Sequence, residues 1–373
     1  MTLTVTWSQV LAWRMQRQML EPIGSAGVVD VVRRLCGVQA QVASNAELAV
    51  RVRRTRSQKG EVGRALAEGR LVKTWAMRGA LHLLTPEDGG AYLRLFADAR
   101  PWERPSWQRY FGLTPELLEE LSVAVRHALD GEPLTREELI AVVTRRRRLK
   151  PFAEGLKSGW GTLFKPLAWR GELCFGPSRG GRATFQRPDR ASTRWAGLPE
   201  LDDAVATALT AYLGAHGPAT MDGFGNWLSG GWFGRRQLRS WFAELGDRVA
   251  VVEVDGQPAN VLAEHLDELA GSSPSKAVRL LPGFDPFVLG PGTGDGHVTP
   301  PPRRAAVSRQ AGWISPVVIV GGVVCGTWEV DGATLRVAWF SEAGRPPRRA
   351  LGAEADRLTE VMGQSLTVKL DTV

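Results

Sequence analysis

One arrangement recurs three times between residue 1 and residue 271 and limits what the chain can fold into. A helical segment, a short polar turn and a second helical segment are each time followed by a Gly-containing hairpin. Helical periodicity giving way to strand alternation at such intervals is the outline of a winged helix-turn-helix. In the first copy Ser8 is placed to cap a helix running to Met19, with Leu11, Met15 and Met19 four apart on one face. A second helix is expected from about Gly27 to Cys36, closed by Gly37 as a C-cap glycine, and Ser44 followed by Glu47 has the pattern of a capping box for a third. Residues 37–44 should therefore break the helical run. LVKTWAMRGALHLL alternates about Arg78 and Gly79 and reads as the hairpin.

The second copy has TPELLEELSVAVRHAL and LTREELIAVV as helices, the latter capped by Thr135, and then a recognition-type segment, GLKSGWGTLFKPLAWRGEL. Its hairpin is ELCFGPSRGGRATFQRP, and four consecutive arginines, Arg145 to Arg148, lie between its helices. The third runs through LDDAVATALTAYLGAHG, MDGFGNWLS and RRQLRSWFAELGDRV to VAVVEVDGQPANVL, with Arg235, Arg236 and Arg239 at a helix entry. From about residue 272 KAVRLLPGFDPFVLG, PVVIVGGVVCGTWEV and ATLRVAWF are strand-like. The loop GPGTGDGHVTPPPRR leads into prolines and not into a helix, so it reads as a flexible connection and not as a phosphate cradle. The expected fold is α+β: winged helices over 1–95, 96–196 and 197–271, and a C-terminal antiparallel β domain over 272–373.

A chain of 373 residues exceeds one ordinary core, in keeping with several compact units. No apolar run approaches the roughly 18 residues that span a bilayer, and MTLTVTWSQVLAW lacks the basic start and cleavage site of a signal peptide, so a cytoplasmic protein is expected. The three cysteines, Cys36, Cys174 and Cys325, have apolar neighbours and no CxxC spacing, and read as buried thiols. The five histidines lack metal-ligand spacing. No metal and no cofactor is implied. Net charge is +8, and 40 of the 47 basic residues are arginine, the side chain suited to bidentate phosphate contact. A polyanionic partner fits this charge, although an arginine-rich composition also produces ordinary solvated faces.

GVQAQ near residue 40, RLVKTWAMRGALHLL after it, the Gly-tipped hairpin ahead of TFQRP, and LLPGFDPF with SPVVIVGGVVCGTW near the carboxyl end are together a specific series. In these motifs and their order the chain resembles the winged-helix DNA glycosylases of the AlkZ and YcaQ type, over nearly its whole length. The resemblance implies tandem winged helices plus a C-terminal β domain on a concave DNA-binding surface, with a Gln-hydrophobic-Gln or Gln-hydrophobic-Asp motif as the catalytic element. That motif maps onto Gln39, Ala40 and Gln41, which places the chain with the Gln-Gln branch. Members of this branch unhook DNA crosslinks and excise bulky alkylated purines as self-resistance to an antibiotic. Ala40 is smaller than many apolar residues at the middle position.

The residues support a compatible chemistry on their own terms. In an extended segment residues i and i+2 share a face, so a break after Gly37 aims both amides at one target. An amide offers an acceptor and donors but takes no proton at neutral pH, so two glutamines position a water without acting as a strong base. Such a site requires a labile substrate, and a purine alkylated at N7 already carries positive charge on the leaving base. No lysine occurs from residue 1 to 58, which leaves a Schiff-base lyase without local support and predicts a monofunctional enzyme, unless the fold brings Lys73 or Lys157 to the site. Candidate DNA contacts are Arg78, His82, Arg145, Arg146, Arg147, Arg148, Lys157, Arg182, Arg235 and Arg236 on double-stranded DNA, bound by a monomer. His82 reads equally as a core-edge histidine, Glu47 as a capping residue and Asp285 as a turn residue that fixes the fold. Most of the 14 tryptophans should be core, with one or two left to stack on a base. The competing reading is a winged-helix transcription regulator without catalysis.

Overall fold

The computed structural model describes residues 2–373, and its helices and three sheets make an α+β protein. The chain gathers into two compact units: residues through Glu61 together with Leu209–Val373, and Val62–Ala208.

In the first unit α1 (Trp7–Arg17) starts at Thr6, whose hydroxyl accepts the Gln9 N–H while the Gln9 amide answers to the Thr6 backbone. Thr6, and not Ser8, is thus the cap, because its extended backbone lets the side chain fold over the first turn. The helix ends at Arg17, short of Met19, which turns to φ 56°. Leu11 and Met15 pack into one apolar cluster with the C-terminal sheet, while Val10 and Trp13 pack into another with the third hairpin. That hairpin pairs Val249–Val254 with Gln257–Leu262 about Asp255 and Gly256, and Thr4–Val5 adds to it in parallel.

The C-terminal sheet runs Val278–Leu281, Val317–Val320, Val323–Asp331, Thr334–Trp339, Thr367–Thr372. Its first four strands are antiparallel, but the last pair is parallel, with Thr334 opposite Thr367 and Trp339 opposite Thr372. The domain is therefore mixed and not purely antiparallel as expected. Helix Arg348–Met362 carries the chain back across the sheet before its last strand, and such a crossover makes neighbours parallel. The loop after Gly290 is also not a flexible connection. His297 stacks on Trp7 at 3.8 Å and 12°, Asp295 meets Arg14 at 3.7 Å, and Val298 and Thr299 are buried.

In the Val62–Ala208 unit the first hairpin pairs Val72–Trp75 with Leu81–Leu84, in register from Val72↔Leu84 to Trp75↔Leu81. The next hairpin, Cys174–Phe175 with Thr184–Gln186, joins it through Lys73 and Phe175, so both lie in one sheet. Trp75 packs on Phe175 and Phe185 beneath that sheet. The recognition-type segment is two short helices, Ala153–Lys157 and Lys165–Trp169. Gly161 between them, at φ 64°, leaves no room for a Cβ, which would stand 2.1 Å from the Trp75 ring.

Candidate functional site

The motif follows α2 (Val28–Arg34), which ends in two successive left-handed residues. Cys36 at φ 59° donates its N–H to the Arg33 carbonyl and Gly37 at φ 97° to the Val32 carbonyl. The buried Cys36 thus takes the left-handed cap position expected of Gly37, and the glycine continues the reversal. Val38–Gln39 form a two-residue strand, Gln41 stands at a bend, and burial alternates from Val38 to Gln41. Val38 and Ala40 are 0% and 1% exposed, Gln39 is half-buried and Gln41 exposed. Period two therefore turns both amides away from the side that buries valine and alanine, and a small residue at position 40 suits that inward face.

α3 (Ala43–Arg51) begins after Val42, which provides no side-chain cap. The Ser44–Glu47 capping box is not formed: Ser44 is already inside the helix, and the Glu47 carboxylate accepts the Gly60 N–H instead. An uncapped helix start carries unsatisfied N–H groups and favours negative charge beside it.

Behind α3 lies a buried ion pair. Both Arg53 Nη atoms donate to Asp285, at 2.6 and 2.8 Å, and Nη1 also donates to the Ala49 carbonyl at 2.7 Å. Gln18 stands at the edge of the pair and reaches the Ala215 carbonyl and His216 Nδ1. Asp285 is thus the fold-fixing residue anticipated, clamping the end of α3 to the C-terminal sheet. On the exposed side of α3 is a groove of about 1290 Å³, bounded by Ser44, Glu47 and Leu48, by Trp328 and Val330 of the sheet, and by Arg309 and Trp313. No local pattern announces this groove, because its walls come from opposite ends of the chain.

The candidate DNA contacts differ in setting. Arg145, Arg146, Arg147 and Arg148 are exposed on the turn after helix Arg136–Val143, with Arg148 bonded to Glu120 at 3.0 Å. Arg182 is exposed beside the Gly180–Gly181 tip of its hairpin, and Arg78 sits half-exposed at the tip of the first hairpin at φ 55°. Lys157 and Arg235 are exposed but engaged with Glu154 and Asp222, and Arg236 is exposed next to them in sequence. Exposed pairs of this kind exchange readily for a phosphate.

His82 is the exception and is corrected. It is 3% exposed, Nδ1 lies 3.0 Å from the Ala80 carbonyl, and burial, with the Arg78 charge nearby, pushes its pKa down to about 3. It is a neutral core residue that presents no charge to DNA. Burial also lowers the Lys73 amine, which lies over the Phe175 ring. Among the tryptophans, Trp75, Trp227 and Trp241 are buried and Trp160 and Trp232 exposed. Trp313 is exposed too.

Exposed arginines on helices and hairpins, and a Gln pair held between two helices, lie in a chain that matches DNA glycosylases. The chain is a member of the AlkZ-like DNA glycosylase family, whose model matches residues 32–361, the Gln pair included. An interstrand DNA cross-link repair glycosylase of Streptomyces sahachiroi is 48% identical over 361 residues, 96% of this chain and 97% of that protein. The solved structure of Streptomyces sahachiroi DNA glycosylase AlkZ matches with a TM-score of 0.96 at 47% identity, covering 99% of this chain and 100% of that one.

Proposed function

We propose that the chain hydrolyses the N-glycosidic bond of bulky N7-alkylated purines in double-stranded DNA and unhooks interstrand crosslinks, in DNA repair or in self-resistance to a DNA-alkylating natural product. The observation that carries this reading is the alternation at residues 38–41, which sets two neutral amides on one face directly ahead of an uncapped helix. Gln39 and Gln41 hold a water with their carboxamides and turn carbonyl dipoles towards C1′. The C1′–N9 bond breaks with its electron pair going to the purine, which cancels the positive charge that alkylation placed there. Water adds to C1′ and its proton passes to solvent. Unmodified bases, as poorer leaving groups, stay attached. The named activity of the Streptomyces sahachiroi relative supports the crosslink substrate.

In this reading the segments 1–95, 96–196 and 197–271 are three winged helices ahead of the domain over 272–373. Arg78, Arg145 to Arg148, Lys157, Arg182, Arg235 and Arg236 hold phosphates, and the enzyme acts as a monomer without a lyase step. The test is duplex DNA carrying N7-methylguanine or a bulky N7 adduct, incubated with the protein and cleaved at abasic sites with alkali. Strand cutting that Gln39→Ala with Gln41→Ala abolishes is the expected result. An uncut strand for both substrates would leave a DNA-binding regulator instead. Borohydride trapping should give no covalent adduct, and a trapped species would overturn the monofunctional assignment.

A further inference from the structure

We propose that Trp313 is a stacking platform for a base displaced beside the lesion, with Arg309 and Lys59 holding the adjoining phosphates; this rests on the glycosylase reading above. Trp313 closes a tight turn. The Arg309 N–H donates to the Trp313 carbonyl at 2.8 Å, Ser308 bridges to Ile314, and Ala311 and Gly312 both hold positive φ, 55° and 73°. The indole is 42% exposed, yet it is braced edge-on by the buried Phe284, ring centres 5.2 Å apart at 81°. A large apolar ring kept in water by a rigid turn loses little conformational freedom when a base stacks on it.

The turn also lies against the helix that follows the Gln pair. A Cβ on Gly283 would stand 2.7 Å from the Ile314 carbonyl and 2.8 Å from Asn45 Nδ2, so the turn, the sheet and the first turn of α3 meet there. Asn45 comes four residues after Gln41. Arg309, Trp313 and Lys59 border the same groove, whose volume exceeds the roughly 300–1,000 Å³ of small-molecule sites. Arg309 and Lys59 are exposed and have no ion-pair partner among the described residues. An exposed aromatic ring and cations are the two elements by which proteins hold unpaired nucleotides, and Trp313, Arg309 and Lys59 supply them in a groove that also holds Glu47, Glu329 and Asp371.

The experiment uses duplex DNA with N7-methylguanine and 2-aminopurine, placed either next to it or opposite it, and reads fluorescence on binding together with excision. Wild type should change the 2-aminopurine signal. Trp313→Ala should lose that change and excise roughly 10- to 100-fold more slowly, the range that base stacking supplies, while Trp313→Phe restores most of both. A Trp313→Ala protein with wild-type signal and rate overturns the proposal, as does a loss that phenylalanine fails to restore. A wild-type signal that depends on Trp313 without any excision would keep the platform and sink the glycosylase reading. Arg309→Gln is the second variant: a flatter salt dependence of binding supports the phosphate role, and an unchanged slope overturns it.

Discussion

The Gln39–Gln41 segment and the Arg145–Arg148 turn each follow the end of a helix, and the surroundings of the two differ in kind. Around the glutamines, Val38 and Ala40 are buried, α2 is closed by two left-handed residues, and Arg53 and Asp285 are locked together at the far end of α3 with no side-chain exposure. Around the arginines, four side chains in succession point into water and only Leu149, next in the chain, is buried. Placing a water against one carbon atom demands fixed geometry, since neutral amides add little energy unless they are preorganised. Gripping phosphates demands charge and reach, which exposed arginines supply from many conformations. The segment around the glutamines is thus tied into buried structure, whereas the four arginines stand in water.

Four experiments bear on this contrast. The largest effect should come from Gln39→Ala with Gln41→Ala, which removes both positioning amides and should slow excision by at least about 10²–10³-fold. Duplex affinity should hardly change, and a large drop in affinity would place the pair in binding. Next is Asp285→Ala, which strands the buried Arg53 charge and should cost about 3–5 kcal/mol in denaturant unfolding. Asp285→Leu with Arg53→Met, which removes both charges, should cost less, and equal costs would mean that the clamp is not an electrostatic unit.

His82 gives the third test, in the unit that carries the arginine turn. Its folded pKa, near 3, lies below the ordinary 6.5, so between these values the unfolded chain binds the extra proton. The stability this group supports is fully present above about pH 6.5 and declines on acidification, by up to about 1.4 kcal/mol per pH unit. His82→Gln should flatten that limb of the stability–pH curve, and an unchanged limb would remove His82 as its cause. The smallest effect is expected from changing Arg145 to Arg148 to alanine. The slope of log affinity against log salt should fall by about 0.9 for each phosphate these side chains no longer neutralise, with excision at saturating DNA unaltered. A slope that stays put would assign the turn to solvent.

Much of the site was legible locally. Alternation about Arg78 and Gly79 marked the first hairpin, Thr135 caps its helix as expected, and the burial of Val38 and Ala40 with Gln39 and Gln41 less buried follows the period of two expected there. Misreadings arose where several residues competed for one role. Thr6 displaced Ser8 as the cap because its backbone was extended, and Glu47 turned to Gly60 once the chain brought that amide alongside. His82 alternates along its strand as a DNA-facing residue would, and only the packing around it decided that it is buried.

What the sequence determined by itself is therefore local: a helical and hairpin order, a break at the two glutamines, a strongly cationic surface and a motif series that marks the family. Dihedral preferences, periodicity and charge act over a few residues and can be read along the chain. Tertiary structure alone decided the rest. It made the last strand pair parallel, joined Arg53 to Asp285 across 232 positions, and set Trp313 beside the helix that follows Gln41. Those contacts depend on which surfaces bury one another, and burial is a property of the whole fold.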